Sequence, residues 1–407
     1  MGARPVRAFP ASSPTTWHNS HDLIRAACVF LCLFAVYLLT YRGGFHSIDE
    51  VSMFAVTENL VKFGRVNTDQ IAWTQWTTSQ REAQGFFGRD GHVYSKKGPV
   101  LSLAMAPLYW LGWVVPGLGM LQTASLINCI VTATTGGLLF LLLRRLGNES
   151  RVALVTALIG GLATISWVYS KYLFSEPLAG LFLLGATYAV VAYRDSGRGR
   201  WTCLAGFVLG LAVATRANNL FVVPWFAFYL LAVAGYAART KTPPTPWHLV
   251  AGRLLLWFVV GLLLPTLLML GYNWLRSGHP LQTGYDLTIF SPDILSGLYK
   301  LLFSPLRGLF IYSPVLLLCI PGIIGWSRSR RAETLLLCSV VGVTLLLFAA
   351  WTSGEGLSWG SRFLVPVVPI LCLALAPVVD RAWRGQTVVA VALILFALAS
   401  LVVQVLG

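Results

Sequence analysis

Asp49 and Glu50 are adjacent carboxylates in Phe45-His46-Ser47-Ile48-Asp49-Glu50, placed directly after the first long apolar run of the chain. Two acids where a membrane helix meets water either solvate the helix exit or take part in proton transfer. A carboxylate kept ionised by nearby cations can take the proton of an acceptor hydroxyl. Glu176, in Tyr172-Leu173-Phe174-Ser175-Glu176-Pro177, is a third carboxylate at an apolar boundary. Acids in such places are costly unless used or paired. The cations come in separate stretches. Tyr94-Ser95-Lys96-Lys97-Gly98-Pro99 opens a helical run, where lysines either snorkel to lipid headgroups or hold a phosphate beside the free N–H groups of the helix start. Ser304-Pro305-Leu306-Arg307-Gly308 offers Arg307 as a second phosphate ligand. The run from Trp351 to Trp359-Gly360-Ser361-Arg362-Phe363 encloses Glu355. Its aromatics are a membrane belt or stacking platforms for a sugar or lipid head. Tyr94, Glu50, Glu355, Trp359 and Arg362 are therefore candidate substrate contacts around Asp49, Glu176, Lys96, Lys97 and Arg307.

The elements that must position these residues are membrane helices. Of 407 residues 56% are hydrophobic and 11% charged, with a mean hydropathy of +0.71, so the chain reads as an all-α integral membrane protein. The formal charge of +15 sits in short clusters between apolar runs, which is loop-charge asymmetry and not a nucleic-acid surface. Apolar windows of crossing length fall near 23–41, 121–143, 152–170, 176–193, 219–237, 252–272, 308–325, 334–351, 363–380 and 387–406, with a shorter one at 201–215. The run 100–116 carries Pro107, Pro116, Tyr109, Trp110 and Trp113. Taken as an interfacial or re-entrant helix, it leaves eleven spans and puts Arg144/Arg145/Arg151, Arg194/Arg198/Arg200, Arg239/Lys241/Arg253, Arg328/Arg330/Arg331 and Arg381/Arg384 on the cytoplasmic side.

On this topology residues 1–22 form a cytoplasmic tail, 23–407 a single transmembrane domain, and 42–120 a long first external loop with interfacial helices. The chain ends outside at Gly407. The alternation of Val51, Phe54, Val56, Leu60 and Val61 with polar positions predicts a helix lying on the membrane surface. Asp49, Glu50, Glu58, Asp69, Glu82, Asp90, Glu176, Asp286, Asp293 and Glu355 all fall at the external face, so the polar machinery collects there. The seven cysteines lie in or beside apolar runs without a CxxC pair and read as small core residues. No motif calls for a cofactor. His46 and His92 lie near the carboxylates, but no ligand set supports a divalent cation there.

The run from Asp49-Glu50 through Phe54-Ala55 and Leu60 to Gly64 resembles the opening of the polytopic C-type (GT-C) glycosyltransferases. That group includes the protein O-mannosyltransferases and the lipid A aminoarabinose transferases. The resemblance extends to Lys97-Gly98-Pro99, where those enzymes carry a Lys-Pro element, and to Glu176-Pro177, where they carry an Asp/Glu-Pro. SPLRGLFIYSPVLLL (304–318) and GLSWGSRFLVPVVP (356–369) are similar to stretches of bacterial members, so most of residues 40–370 is covered. The resemblance implies inverting transfer of a hexose or pentose from a polyprenyl-phosphate donor to a glycan, lipid or protein acceptor at the outer face of a bacterial inner membrane. Asp49 would be the general base, with Glu176 positioning the acceptor or assisting Asp49. Lys96 or Lys97, together with Arg307, would stabilise the departing lipid phosphate. Lys-Lys-Gly-Pro departs from the family's Lys-Pro, and without a soluble C-terminal domain acceptor recognition would fall to the loops. A transporter or lipid flippase is the alternative, but its ionisable residues would be expected near mid-span.

Overall fold

The computed structural model describes residues 20–76, 83–240, 246–284, 290–351 and 358–407. Glu355 and residues 1–19 of the expected tail lie outside them. The chain is helical almost throughout. In order the elements are α1 (Ser20–Leu39), α2 (Ile48–Phe63), a hairpin of β1 (Gly85–Phe87) and β2 (Val93–Ser95), α3 (Pro99–Val114), α4 (Met120–Arg145), α5 (Ser150–Leu162), α6 (Glu176–Ser196) and α7 (Gly199–Thr215). There follow α8 (Ala217–Arg239), α9 (Trp247–Ser277), α10 (Ile294–Leu302), α11 (Pro314–Ser329), α12 (Arg331–Ala349), α13 (Arg362–Trp383) and α14 (Thr387–Leu406). Among the described residues eight helices are long and apolar enough to cross a membrane: α1, α4, α6, α8, α9, α12, α13 and α14. The other three expected windows fall on the shorter helices α5, α7 and α11. The protein is an integral membrane protein.

Burial separates the inner helices from the lipid-facing ones. The apolar window of α13 is 89% buried and that of α6 78%, against 17% for α14 and 22% for α9. Hydrocarbon beside hydrocarbon gives helices no hydrophobic reason to associate in lipid, so close packing and polar ties hold them. The α7–α9 crossing relies on Gly206 and Gly261. A Cβ on the first would meet the Phe258 carbonyl at 2.0 Å, and one on the second the Cys203 carbonyl at 2.0 Å.

Ion pairs fix which helix ends lie together. Arg144 at the end of α4 holds Asp22 near the start of α1 (3.0 Å), and Arg145 holds Asp195 at the end of α6 (3.1 Å). Arg194 pairs with Glu333 at the start of α12, and Arg151 at the start of α5 lies 5.2 Å from the Trp383 ring at the end of α13. These contacts gather the basic clusters at one end of the bundle, as the charge pattern predicts. The starts of α2, α3, α6 and α13 and the end of α7 come together at the opposite end, where the candidate carboxylates sit.

The segment 42–120 is a packed cap. Ser47 caps α2 by accepting the Asp49 N–H (3.2 Å), so the first turn is set by the residues beside the carboxylates. The expectation of an amphipathic surface helix is corrected here. Ser52, Thr57 and Asn59 are buried together with Met53, Ala55 and Val56. Polar positions face inward because they have partners. Ser52 bonds Ser95 of β2 (2.7 Å), Thr57 donates to the Ser102 carbonyl of α3 (3.1 Å), and Asn59 donates to Asn67 (2.8 Å). The run 100–116 is the apolar helix α3, entered through Gly98 and Pro99, with Trp110 and Trp113 exposed.

Gly98 marks a close approach between this cap and the bundle. A Cβ there would lie 2.2 Å from the Ala214 carbonyl and 2.6 Å from that of Thr215, at the end of α7. Gly98→Val therefore destabilises the protein by about 1–3 kcal/mol through overpacking. Gly235→Ala, on α8 with open space around it, has no such cost. Thermal unfolding of the two variants in one detergent checks this; equal midpoints would refute it.

Candidate active site

Five charged side chains from five segments form one chain of contacts. Lys97, two residues before α3, places its ammonium 2.9 Å from Oδ1 of Asp49 on the first turn of α2. The other Asp49 oxygen, Oδ2, lies 3.1 Å from Nη1 of Arg362, which begins α13. Nε of Arg362 is 3.2 Å from Oε1 of Glu176 at the start of α6, and Arg216, directly after α7, approaches the same oxygen to 2.7 Å. Arg362 is 8% exposed and Glu176 1%, so Arg362 bridges the two acids out of contact with bulk water. Its guanidinium also lies over the rings of Phe174 (4.7 Å) and Phe363 (5.1 Å). Burial favours the neutral form of Asp49, but Lys97, Arg362 and Arg216 outweigh it and hold the carboxyl well below the usual carboxylate range.

The Lys97 turn is held from beneath by Arg276 of α9, which is 3% exposed. Its guanidinium donates to the Ser95 carbonyl (2.6 Å), to Oδ1 of Asn273 (2.7 Å) and to the Thr283 carbonyl (3.1 Å), and it lies 4.8 Å from the Tyr272 ring. The backbone N–H of Lys97 donates to the Ser95 hydroxyl (3.1 Å). Lys96 is half-buried beside it. Burial and the Lys97 charge push its ammonium below the ordinary value. Of the two lysines, Lys97 is the one in contact with Asp49.

Other candidates have different places. Glu50 is fully buried and cannot touch a substrate. Its carboxyl accepts the backbone N–H groups of His46 (2.6 Å) and Leu173 (3.1 Å), tying the start of α2 to the strand of chain that leads into α6. Burial raises its pKa to about 7 despite those N–H groups. Tyr94 is buried in β2 and donates to Asp90 (2.7 Å), closing the hairpin. Burial, with the Asp90 bond, raises its phenol to about 12. The Arg307 side chain joins no ion pair among the described residues. Its carbonyl instead accepts the Ser361 hydroxyl (2.8 Å), which fixes the residue before Arg362. Trp359 packs edge-on against Tyr312 (5.1 Å) beside the end of α14 at Gly407. Of the residues proposed for the site, Asp49, Glu176, Lys97 and Arg362 are brought together.

Arg216 and Arg276 were absent from the sequence candidates. The signal for Arg216 was present: on the topology read from the sequence it is an arginine at the outer face, where basic residues are fewer. Among the described residues no group of three or more His, Cys, Asp or Glu side chains could hold a metal ion.

This arrangement of bundle and cap is similar in fold to two solved structures of membrane transferases. The crystal structure of the oligosaccharyltransferase of Archaeoglobus fulgidus in the apo form is similar with a TM-score of 0.57 and 12% identity, covering 96% of this chain and 56% of that one. ArnT from Cupriavidus metallidurans bound to undecaprenyl phosphate is similar with a TM-score of 0.54 and 16% identity, covering 91% of this chain and 62% of that one. Residues 106–263 match the family model described as dolichyl-phosphate-mannose-protein mannosyltransferase. No curated protein matches in sequence. The chain spans little more than half the length of the archaeal oligosaccharyltransferase.

Two outcomes follow from this geometry. Glu50 ionises at a higher pH in the fold than in the unfolded chain, so the fold binds the extra proton. The Glu50 contribution to stability is therefore full below about pH 4.5, falls as pH rises to about 7, and then levels; Glu50→Gln flattens that window. Unfolding midpoints across this range check it, and parallel profiles would refute it. Arg362→Gln leaves two buried acids short of a partner and lowers unfolding free energy by about 3 kcal/mol. Denaturant titration checks this; a loss well under 1 kcal/mol would contradict the bridging role.

Proposed function

We propose that the protein is an inverting glycosyltransferase. It takes a sugar from a polyprenyl-phosphate donor and transfers it to an acceptor hydroxyl at the outer face of a bacterial inner membrane. The observation that carries this reading is Asp49, nearly enclosed on α2, with Lys97 on one carboxylate oxygen and Arg362 on the other. The fold likeness and the family match over 106–263 support the class of reaction.

Asp49 paired with two cations is a weak base, and the lipid phosphate changes that. The Lys97 ammonium turns toward the phosphate, whose negative charge grows as the sugar–phosphate bond breaks. Removing one cation from about 3 Å raises the basicity of Asp49 at the moment an acceptor proton must be taken. The acceptor oxygen attacks the anomeric carbon on the face opposite the phosphate and gives its proton to Asp49. The polyprenyl phosphate leaves with the electron pair of the broken bond, against Lys97. Arg362 stays on Asp49 Oδ2 and fixes the direction of Oδ1. Glu176, neutralised by Arg216 and Arg362, positions that guanidinium and the acceptor beside it.

Asp49→Asn keeps the shape and removes the base. With purified protein, a panel of labelled polyprenyl-phosphate sugars and mass spectrometry of the product, transfer falls by roughly 10²–10⁴-fold in a variant whose helical circular dichroism matches that of the wild type. Full transfer by the variant would sink the assignment. Substrate uptake into vesicles without any transfer by the wild type would favour a transporter.

A further inference from the structure

Helix α10 packs where α12 ends, and its sequence gives it three faces. α12 runs from Glu333, at the basic end of the bundle, to Ala349 at the end that holds the candidate active site. There the Ser291 N–H donates to the Ala350 carbonyl (2.7 Å), and Phe290 meets the Trp351 ring edge-on with centroids 5.3 Å apart. A Cβ on Gly297 would collide with the Ala349 carbonyl, so only glycine lets α10 press this close. The Asp293 carboxylate starts the helix by accepting the Ser296 N–H (3.2 Å). Successive residues then turn about 100°. Gly297, Leu298 and Leu301 share the face toward the bundle, where Leu301 is buried. Leu295, Tyr299 and Phe303 share the next face and are 80%, 57% and 48% exposed. Ser296 and the exposed Lys300 make the third.

The exposed apolar face continues into surface that meets lipid. Leu346, one turn before Ala349 on α12, is exposed, as are Leu306 and Ile311 beyond α10. α12 is long and apolar enough to cross the membrane, so its exposed leucine lies against acyl chains. A helix with protein on one side, apolar side chains on the second and a lysine on the third fits the rim where bundle, bilayer and water meet. Tyr299 and Lys300 are the residue types of that depth: an aromatic with a polar tip, and a cation on an apolar stem that reaches the headgroups. Ser361 connects this helix to the candidate site. Its buried hydroxyl is shared between the carbonyls of Leu301, near the end of α10 (2.6 Å), and of Arg307 (2.8 Å), and the next residue is Arg362. Where α10 rests therefore bears on how Arg362 meets Asp49 and Glu176.

We propose that α10 lies along the membrane surface with Leu295, Tyr299 and Phe303 in the adjoining leaflet, and that this lipid seat positions Arg362 through Ser361. The partner of the outward face is bilayer lipid itself. Ser361 is a positioning residue, acting on the candidate site through the backbone it shares with Arg362. The seat and its coupling hold whether or not sugar transfer takes place.

The test uses the full chain in phosphatidylcholine nanodiscs that contain a phospholipid with a diazirine in the upper part of an acyl chain. After irradiation, peptide mapping by mass spectrometry finds lipid adducts at Leu295, Tyr299 and Phe303 and none at Ser296 or Lys300. A water-soluble acetylating reagent modifies Lys300 instead. Hydrogen exchange in the same discs reads the coupling. Leu295→Glu speeds exchange of residues 361–365 several-fold while exchange around Glu333, at the far end of the bundle, stays as in the wild type; Lys300→Gln changes neither. Ser361→Ala speeds the same segment with the adduct pattern on α10 unchanged, which separates the tie from the seat. Equal adduct yields on the outward and water faces would overturn the proposal, as would an outward face that cross-links to a second copy of the chain and takes no lipid. Exchange in Leu295→Glu or Ser361→Ala no faster than in Lys300→Gln would overturn the coupling.

Discussion

The Arg362 guanidinium between Asp49 and Glu176 is the interaction on which the rest of the polar end depends. Two carboxylates this close to the apolar bundle repel each other and lose their hydration. A cation whose geometry serves both offsets that cost. A guanidinium has donors in a fixed plane and is always protonated, so one side chain can face Asp49 with Nη1 and Glu176 with Nε. A lysine in its place would offer a single point charge. Arg216 and Lys97 then complete the neutralisation from the outer sides of the pair.

That bridge also explains why so many polar ties converge on the cap. Arg362 can serve both Asp49 and Glu176 only if α2, α6 and α13 keep their relative positions. Glu50 supplies one tie, by accepting from both His46 and Leu173, and so joins α2 to the entry of α6. Ser361 supplies another through the carbonyls of Leu301 (2.6 Å) and Arg307 (2.8 Å). Arg276 and the close approach of Gly98 to α7 fix the Lys97 turn. Glu50 and Arg307 are therefore supports of the site, acting through the residues beside them.

The helices were readable because burial in lipid imposes a simple rule. Every backbone group must be satisfied within its own helix, so crossing segments announce themselves as apolar runs of a set length. The eleven windows all fall on helix, although three of the helices are shorter than a crossing requires by their own length. The reading of α2 as a surface helix failed for an equally physical reason. It assumed that buried means apolar, whereas Ser52, Thr57 and Asn59 face inward because the hairpin and α3 present them with partners.

By itself the sequence determined that this is a helical membrane protein, that its basic loops gather at one end, and that Asp49, Glu176 and the Lys96–Lys97 pair belong to the other. Those facts follow from local properties: hydropathy, charge, and a helix start beside a carboxylate. Only the tertiary structure decided which charges meet. Arg216 and Arg276 lie far along the chain from Asp49 and Lys97, and no spacing rule links them. Lys97 rather than Lys96 reaches Asp49 because Gly98 lets the turn press against the end of α7. Adjacent residues can likewise face opposite ways: on the first turn of α2 Asp49 looks toward Arg362 and Glu50 into the protein. A helix turns about 100° per residue, and only packing decides which of two neighbours it buries.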